Sequence, residues 1–160
     1  MPARSGEQYI NNLSTHPAEV WIGGEKVKDV TTHPAFQNGV RSVAALYDLQ
    51  HNPNTKEVMT FKSPSTGNPV GLSFIVPKSV DDLIKRREMM TSWAWESCGM
   101  MARTPDFLNC AISGWAGSAE YFSANRSNSK DNVLSYHEYI RENDLTLTHT
   151  LVNLQRSRNP

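Results

Sequence analysis

The chain has 160 residues, enough for one domain with a real hydrophobic core. Sixteen basic residues balance sixteen acidic ones, which gives no reason to expect a nucleic-acid partner, and an apolar content of 38% with helix formers and β-branched residues mixed argues against a disordered chain. No apolar run reaches the roughly 18–20 residues of a membrane helix, Met1 to Glu7 lacks the apolar middle of a secretion signal, and Cys98 and Cys110 fit neither a disulfide scaffold nor a common zinc spacing, so the expectation is a cytoplasmic chain with no membrane partner and no metal.

Ser5-Gly6-Glu7-Gln8 is a helix start in which the Ser5 hydroxyl can cap free amides, and Tyr9, Ile10 and Leu13 give that helix an apolar side. Val20 to Val27 predicts a β-hairpin, because Gly23-Gly24 can take the positive φ angles of a two-residue turn. Thr32-His33-Pro34 opens a second helix, with Phe36, Val40, Val43 and Tyr47 at helical spacing, fading by His51-Asn52-Pro53. Glu57 to Phe61 and Leu72 to Val76 are predicted strands, joined by the turn-rich run from Ser63 to Pro69.

Ser79 begins the longest helix, with Asp81 and Asp82 in the first turn, where negative charge meets the positive end of the helix dipole. Its expected apolar residues are Leu83, Ile84, Met90, Trp93 and Met100, and it is expected to reach about Met101. Thr104-Pro105-Asp106 reads as a fresh start, followed by a buried face of Ile112, Trp115, Ala116 and Ala119. After a break from Asn125 to Lys130 comes a helix with Val133, Tyr136 and Ile140 inward. Leu145 to Leu151 reads as an alternating strand with Leu145, Leu147 and His149 on one face. The expected fold class is α+β, mainly α: a helical domain with small β-hairpin elements. No strand–helix alternation, GxGxxG motif or phosphate-cradling loop is present.

Two polar segments in apolar surroundings carry the candidate chemistry: Arg103-Thr104-Pro105-Asp106-Phe107, and Thr148-His149-Thr150 leading to Gln155-Arg156-Ser157-Arg158. Arg103 needs an anion or several carbonyls if buried; pairing with Asp106 or reaching solvent is the bland alternative. His149 can exchange a proton near neutrality; a satisfied, half-buried histidine is its alternative. His16, His33, His51 and His137 are placed in loops or on helix surfaces. Trp93, Trp95 and Trp115 suit either an aromatic cavity or ordinary core, and both cysteines are expected to be small buried residues.

Thr31-Thr32-His33-Pro34-Ala35-Phe36, Arg103-Thr104-Pro105-Asp106-Phe107 and Thr148-His149-Thr150-Leu151, in this order, resemble the oxygenase components of the 4-hydroxyphenylacetate 3-monooxygenase family, from about Ser5 to Arg158. The resemblance implies that residues 1–160 form the amino-terminal domain alone of an acyl-CoA-dehydrogenase-like flavin monooxygenase. The family's central helical bundle and carboxyl-terminal segment, which supports homo-oligomer assembly, would lie outside it. It also implies a two-component enzyme: a separate flavin reductase supplies reduced FAD, molecular oxygen is the cosubstrate, and a phenol is hydroxylated ortho to its hydroxyl.

By that resemblance Arg103 and His149 are the catalytic pair that holds the phenolic oxygen, with Phe107 beside them in the substrate site. His149, Thr150, Gln155 and Arg158 would contact the flavin. Phe107 stands where family members often carry tyrosine, so packing is carried over to it and hydrogen bonding is not. Leu154 replaces a usual proline. Half of the flavin cavity would belong to the absent bundle, so the chain alone is expected to be inactive. Two rivals remain at this point. A 4-hydroxybutyryl-CoA dehydratase-type branch requires closely spaced cysteines for an iron–sulfur cluster, which Cys98 and Cys110 lack. A non-catalytic packing module would instead need a second half.

Overall fold

The computed structural model describes residues 3–99, 106–124, 126 and 128–148. Over these the chain is mainly helical with two small antiparallel hairpins, as the residue pattern predicts. Helix α1 (Gly6–Thr15) starts with the expected capping box: the Ser5 hydroxyl accepts from the Gln8 amide while the Gln8 side chain accepts from the Ser5 amide. It lies along α2 (Gln37–Asp48), and the approach is close at Gly6. A Cβ there would stand 2.6 Å from the Ala44 carbonyl oxygen, so the contact requires glycine. Between them β1 (Trp21–Ile22) pairs with β2 (Glu25–Lys26) across Gly23 and Gly24, both at positive φ. Helix α2 begins at Gln37 and not at Thr32, because the His33 carbonyl accepts from both Phe36 and Gln37 amides in a preceding turn.

The second hairpin corrects the expected strands. Residues Lys56–Met59 form a short helix, α3, because amides of Lys56 and Met59 bond back to Asn52 and Thr55; only Thr60–Lys62 is strand, β3. Its partner β4 is Pro69–Gly71, with Phe61 opposite Val70. Leu72–Phe74, expected as strand, is a single 3-10 turn whose three side chains are all buried, which alternating strand faces would not allow against a one-sided core. The loop between β3 and β4 is pinned from afar: Ser63 and Thr66 hydroxyls donate to Glu142, and Arg141 donates to Ser65 Oγ.

Helix α4 (Val80–Glu96) has a second capping box, Ser79 with Asp82. It stops short of Met101 because Cys98 and Gly99 both adopt left-handed φ, and the Gly99 amide bonds back to the Ala94 carbonyl. Its inward face is Arg86, Met89 and Trp93, while the apolar Leu83 and Ile84 are 55% and 50% exposed. Helices α5 (Asp106–Gly117), α6 (Ala119–Ser123) and α7 (Ser129–Glu142) complete the chain. In α5 the buried stripe is Asn109, Ile112, Ser113 and Ala116; Trp115 is half exposed. In α7 it is His137, Ile140 and Arg141, one position round from the expected Tyr136. Small and polar residues face inward because α5 packs closely on the 3-10 turn and on α7. Cys98 and Cys110 are exposed, contrary to expectation: one follows the end of α4, the other lies on the outer side of α5 beside buried Asn109.

Two apolar clusters form the core. Leu46, Met59, Leu72, Met89 and Trp93 join α2, α3, the 3-10 turn and α4. Phe74, Ile112 and Ile140 join the turn to α5 and α7, with Phe61, Leu145 and Leu147 against them. Met89 is fully buried, so Met89→Ala should cost about 2–5 kcal/mol. The exposed Leu83→Ala should stay within about 0.5 kcal/mol. Urea unfolding measures both, and equal losses would contradict the assigned inward face of α4.

Candidate functional site

Of the expected site residues, Arg103, His149, Thr150, Gln155 and Arg158 lie outside the described residues. Phe107 is on the first turn of α5 and is 52% exposed. Trp93 is core, with its indole donating to the Leu46 carbonyl, whereas Trp95 is 83% exposed and Trp115 lies on the surface, so the three do not line one cavity. A groove of about 450 Å³ between α3, β3 and α4 is lined by Phe61, Leu72, Lys85 and the carboxylates of Glu57, Asp82 and Glu88; Phe107 does not border it.

The segment that leads to His149 is described through Thr148. Leu145 and Leu147 are half-buried and Thr146 and Thr148 exposed, the alternation the residues predict, but residues 145–148 pair with no strand among the described residues. A polar network holds the start of this segment. Asp144, buried and at φ +45°, accepts through Oδ2 from the Arg4 amide at 2.9 Å and from Gln50 Nε2 at 2.8 Å. Tyr47 Oη contacts the Asp144 carbonyl at 3.1 Å, Thr146 Oγ1 at 2.5 Å and Arg4 Nη2 at 2.9 Å. The Arg4 guanidinium lies over the Tyr47 ring, 5.0 Å from its centroid. Burial, reinforced by the Asp144 carboxylate, pushes the Tyr47 phenol up to about 12, so it remains a proton donor at any ordinary pH. Burial likewise raises Asp144, opposed by the hydrogen bonds from Gln50 and Arg4.

A second polar group lies between the 3-10 turn, α4, α5 and α7. Arg86 Nη1 donates to the Ser73 carbonyl at 2.6 Å, and Asn109 Nδ2 donates to Ser73 Oγ at 2.9 Å. His137 Nε2 lies 3.0 Å from the Phe74 carbonyl. A carbonyl can only accept, so Nε2 carries the proton. Burial holds this imidazole below its ordinary value, against the opposing pull of the Phe74 hydrogen bond. Asn109 Oδ1 is buried without a hydrogen-bond partner among the described residues, and Asn109 lines a cavity of about 10 Å³ with Ser73, Gln50 and Asp144. Arg86, Asn109, His137 and Asp144 were not legible as inward residues, since polar side chains face solvent by default. The signal available was position: each lies in register with a buried apolar neighbour on its own helix or at its end.

The family model described as the 4-hydroxyphenylacetate 3-hydroxylase N terminal matches residues 5–160. The chain belongs to this family. It is 46% identical over 158 residues to the 4-hydroxyphenylacetate 3-monooxygenase oxygenase component of Geobacillus sp. (strain PA-9), covering 99% of this chain and 32% of that protein. With the Thermus thermophilus oxygenase component it shares 45% over 156 residues, 98% of this chain and 31% of the relative. The crystal structure of an oxygenase component (HpaB) complexed with FAD and 4-hydroxyphenylacetate superposes with a TM-score of 0.82 at 43% identity, covering 97% of this chain and 32% of that one. The chain therefore spans about a third of the length of these relatives. An archaeal 4-hydroxybutyryl-CoA dehydratase is 21% identical with a TM-score of 0.76, over 90% of this chain and 28% of its own, a likeness of fold. Among the described residues no helix is long and apolar enough to cross a membrane, and no cluster of three His, Cys, Asp or Glu side chains is placed to hold a metal ion.

His137 makes folding depend on pH. The unfolded imidazole protonates near pH 6.5, about its ordinary value, and the folded one only at lower pH. Between those values the unfolded state binds more protons, so the His137 contribution is complete above about pH 6.5 and is lost as the pH falls below it. Urea midpoints should drop between about pH 7.5 and pH 5.5, and His137→Gln should reduce that drop. An unchanged drop in the variant would place the titration elsewhere.

Proposed function

We propose that this chain supplies the phenol-holding side, and part of the flavin-holding side, of a two-component aromatic ortho-hydroxylase that uses reduced FAD and molecular oxygen. In this reading residues 1–160 are a single amino-terminal domain, the full-length polypeptide is a homo-oligomer, and a flavin reductase is its partner. The observation that carries it is the likeness over nearly the whole chain to oxygenase components, one of them solved with FAD and 4-hydroxyphenylacetate.

A phenol has a pKa of about 10, and its anion is far the better carbon nucleophile. A guanidinium at Arg103 and an imidazole N–H at His149 would both favour the anion, by charge and by hydrogen bonding, and more strongly in a water-poor pocket. Phe107 packs beside the ring and offers no hydroxyl. The hydroxyl of Thr150, the amide of Gln155 and the guanidinium of Arg158 form a donor-rich set suited to the carbonyls and phosphates of FAD, and His149 serves both ligands. When bound, reduced FAD with oxygen supplies the oxygen atom that enters the ring.

Chain geometry supports the pairing. Leu147, two residues before His149, packs on the cluster that contains Ile112 of α5, the helix that follows Arg103.

The test is 4-hydroxyphenylacetate binding, followed by phenolate absorbance, in the full-length polypeptide carrying this segment. Arg103→Ala and His149→Ala should each weaken binding about tenfold to a hundredfold, the worth of one hydrogen bond to a charged group. Unchanged affinity and phenolate absorbance in both variants would contradict the reading. The 160-residue chain alone, given reductase and FAD, should yield no hydroxylated product; robust turnover would contradict a cavity divided between two parts of the polypeptide.

A further inference from the structure

We propose that the small cavity between α2, the 3-10 turn, α4, α5 and Asp144 is the binding site of one structural water, which donates to the Asn109 side-chain oxygen and to the Asp144 carboxylate and so joins the two buried polar networks of the fold.

The size and the walls of the cavity set the occupant. About 10 Å³ is room for one water molecule and for no organic ligand. The polar part of the wall is Gln50, Ser73, Asn109 and Asp144, all four buried. Cavities that stay dry are apolar, whereas a polar one that offers two to four partners holds water.

Asn109 carries the unfilled valence. It is 1% exposed. Its Nδ2 donates to Ser73 Oγ at 2.9 Å, while Oδ1 accepts from none of the described residues. A buried amide oxygen without a donor is costly. Turning the amide over does not help, because the NH2 group then takes the orphaned place. The other donors of the wall are engaged elsewhere. The Trp93 indole donates to the Leu46 carbonyl, and Gln50 Nε2 is committed to Asp144 Oδ2 and the Arg4 carbonyl. Tyr47 Oη lies against the Asp144 carbonyl and Thr146.

Water fits this set because it donates twice and also accepts. One proton goes to Asn109 Oδ1. The other goes to Asp144 Oδ1, since the Arg4 amide and Gln50 Nε2 both donate to Oδ2. The water oxygen accepts the proton of the Ser73 hydroxyl. Gln50 and Asp144 belong to the network at the end of α7, and Ser73 and Asn109 to the one against α5. The water is thus the polar link between α5 and Asp144, which follows α7 in a left-handed conformation.

The test is a high-resolution crystal structure of the chain, together with oxygen-17 relaxation dispersion of the solvent, which counts waters held inside a protein. The density should show one water within roughly 2.5–3.2 Å of both the Asn109 amide and the Asp144 carboxylate. Asn109→Leu, close in size but without the amide, should lower the count of long-lived waters by one. Cys110→Ala, on the exposed side of the same helix, should leave that count unchanged. An empty or closed cavity in the crystal overturns the proposal, as does a water that reaches Asn109 and not Asp144. It is also overturned if Asn109→Leu keeps the wild-type count or if Cys110→Ala loses a water equally. The wild-type density decides the matter even if Asn109→Leu does not fold.

Discussion

The buried carboxylate of Asp144 is the constraint around which the chain is organised. It sits in a left-handed backbone conformation at the end of α7, where burial disfavours its charge. Donors from Arg4 and Gln50 offset that cost. Meeting them requires the amino-terminal arm to cross to the far end of the chain and α2 to lie beneath both. The close seat of α1 on α2 at Gly6, where the Gly6 amide also donates to Asp48, follows from the same convergence. Polar bonds thus join residues 140 positions apart in the chain, Arg4 and Asp144.

That arrangement has a functional consequence. The amino-terminal arm, α2 and the exit of α7 are fixed relative to one another immediately before the segment that carries His149. On the other side, α5 is seated on the 3-10 turn through Ser73 and Asn109 and on α7 through the Phe74, Ile112 and Ile140 cluster, and it follows the run that holds Arg103. Two candidate ligands for one anionic oxygen thus depart from neighbouring, rigidly seated elements. In the proposed reading, a site that holds a phenolate at a set distance from a flavin would draw on this support, because a displacement of about 1 Å is costly in rate.

Local grammar was the most legible part of the sequence. Ser5 with Gln8 and the acids after Ser79 marked helix starts, and Gly23-Gly24 marked a turn, because each signal acts over three or four residues. The motifs around Arg103 and His149 were legible through family resemblance, and the family match spans them. Inward faces were less legible. Trp115 and Tyr136 were expected inside, yet Asn109, Ser113 and His137 take buried positions on those helices, and on α4 Arg86 is buried while Leu83 and Ile84 are exposed. Those polar residues are buried because partners from other elements satisfy them: Ser73 serves Arg86 and Asn109, and Phe74 serves His137. No pattern local to one helix encodes such partners. The 3-10 turn at Leu72–Phe74 was missed for the same reason, since its conformation answers to α4 and α5.

The claim that one guanidinium and one imidazole grip the same oxygen is tested most directly by a double-mutant cycle on phenolate binding in the full-length polypeptide, with Arg103→Ala, His149→Ala and the pair. Two groups that share one ligand atom should be non-additive, with a coupling of about 1 kcal/mol or more. Strict additivity, within about 0.3–0.5 kcal/mol, would place them at separate sites and contradict the account.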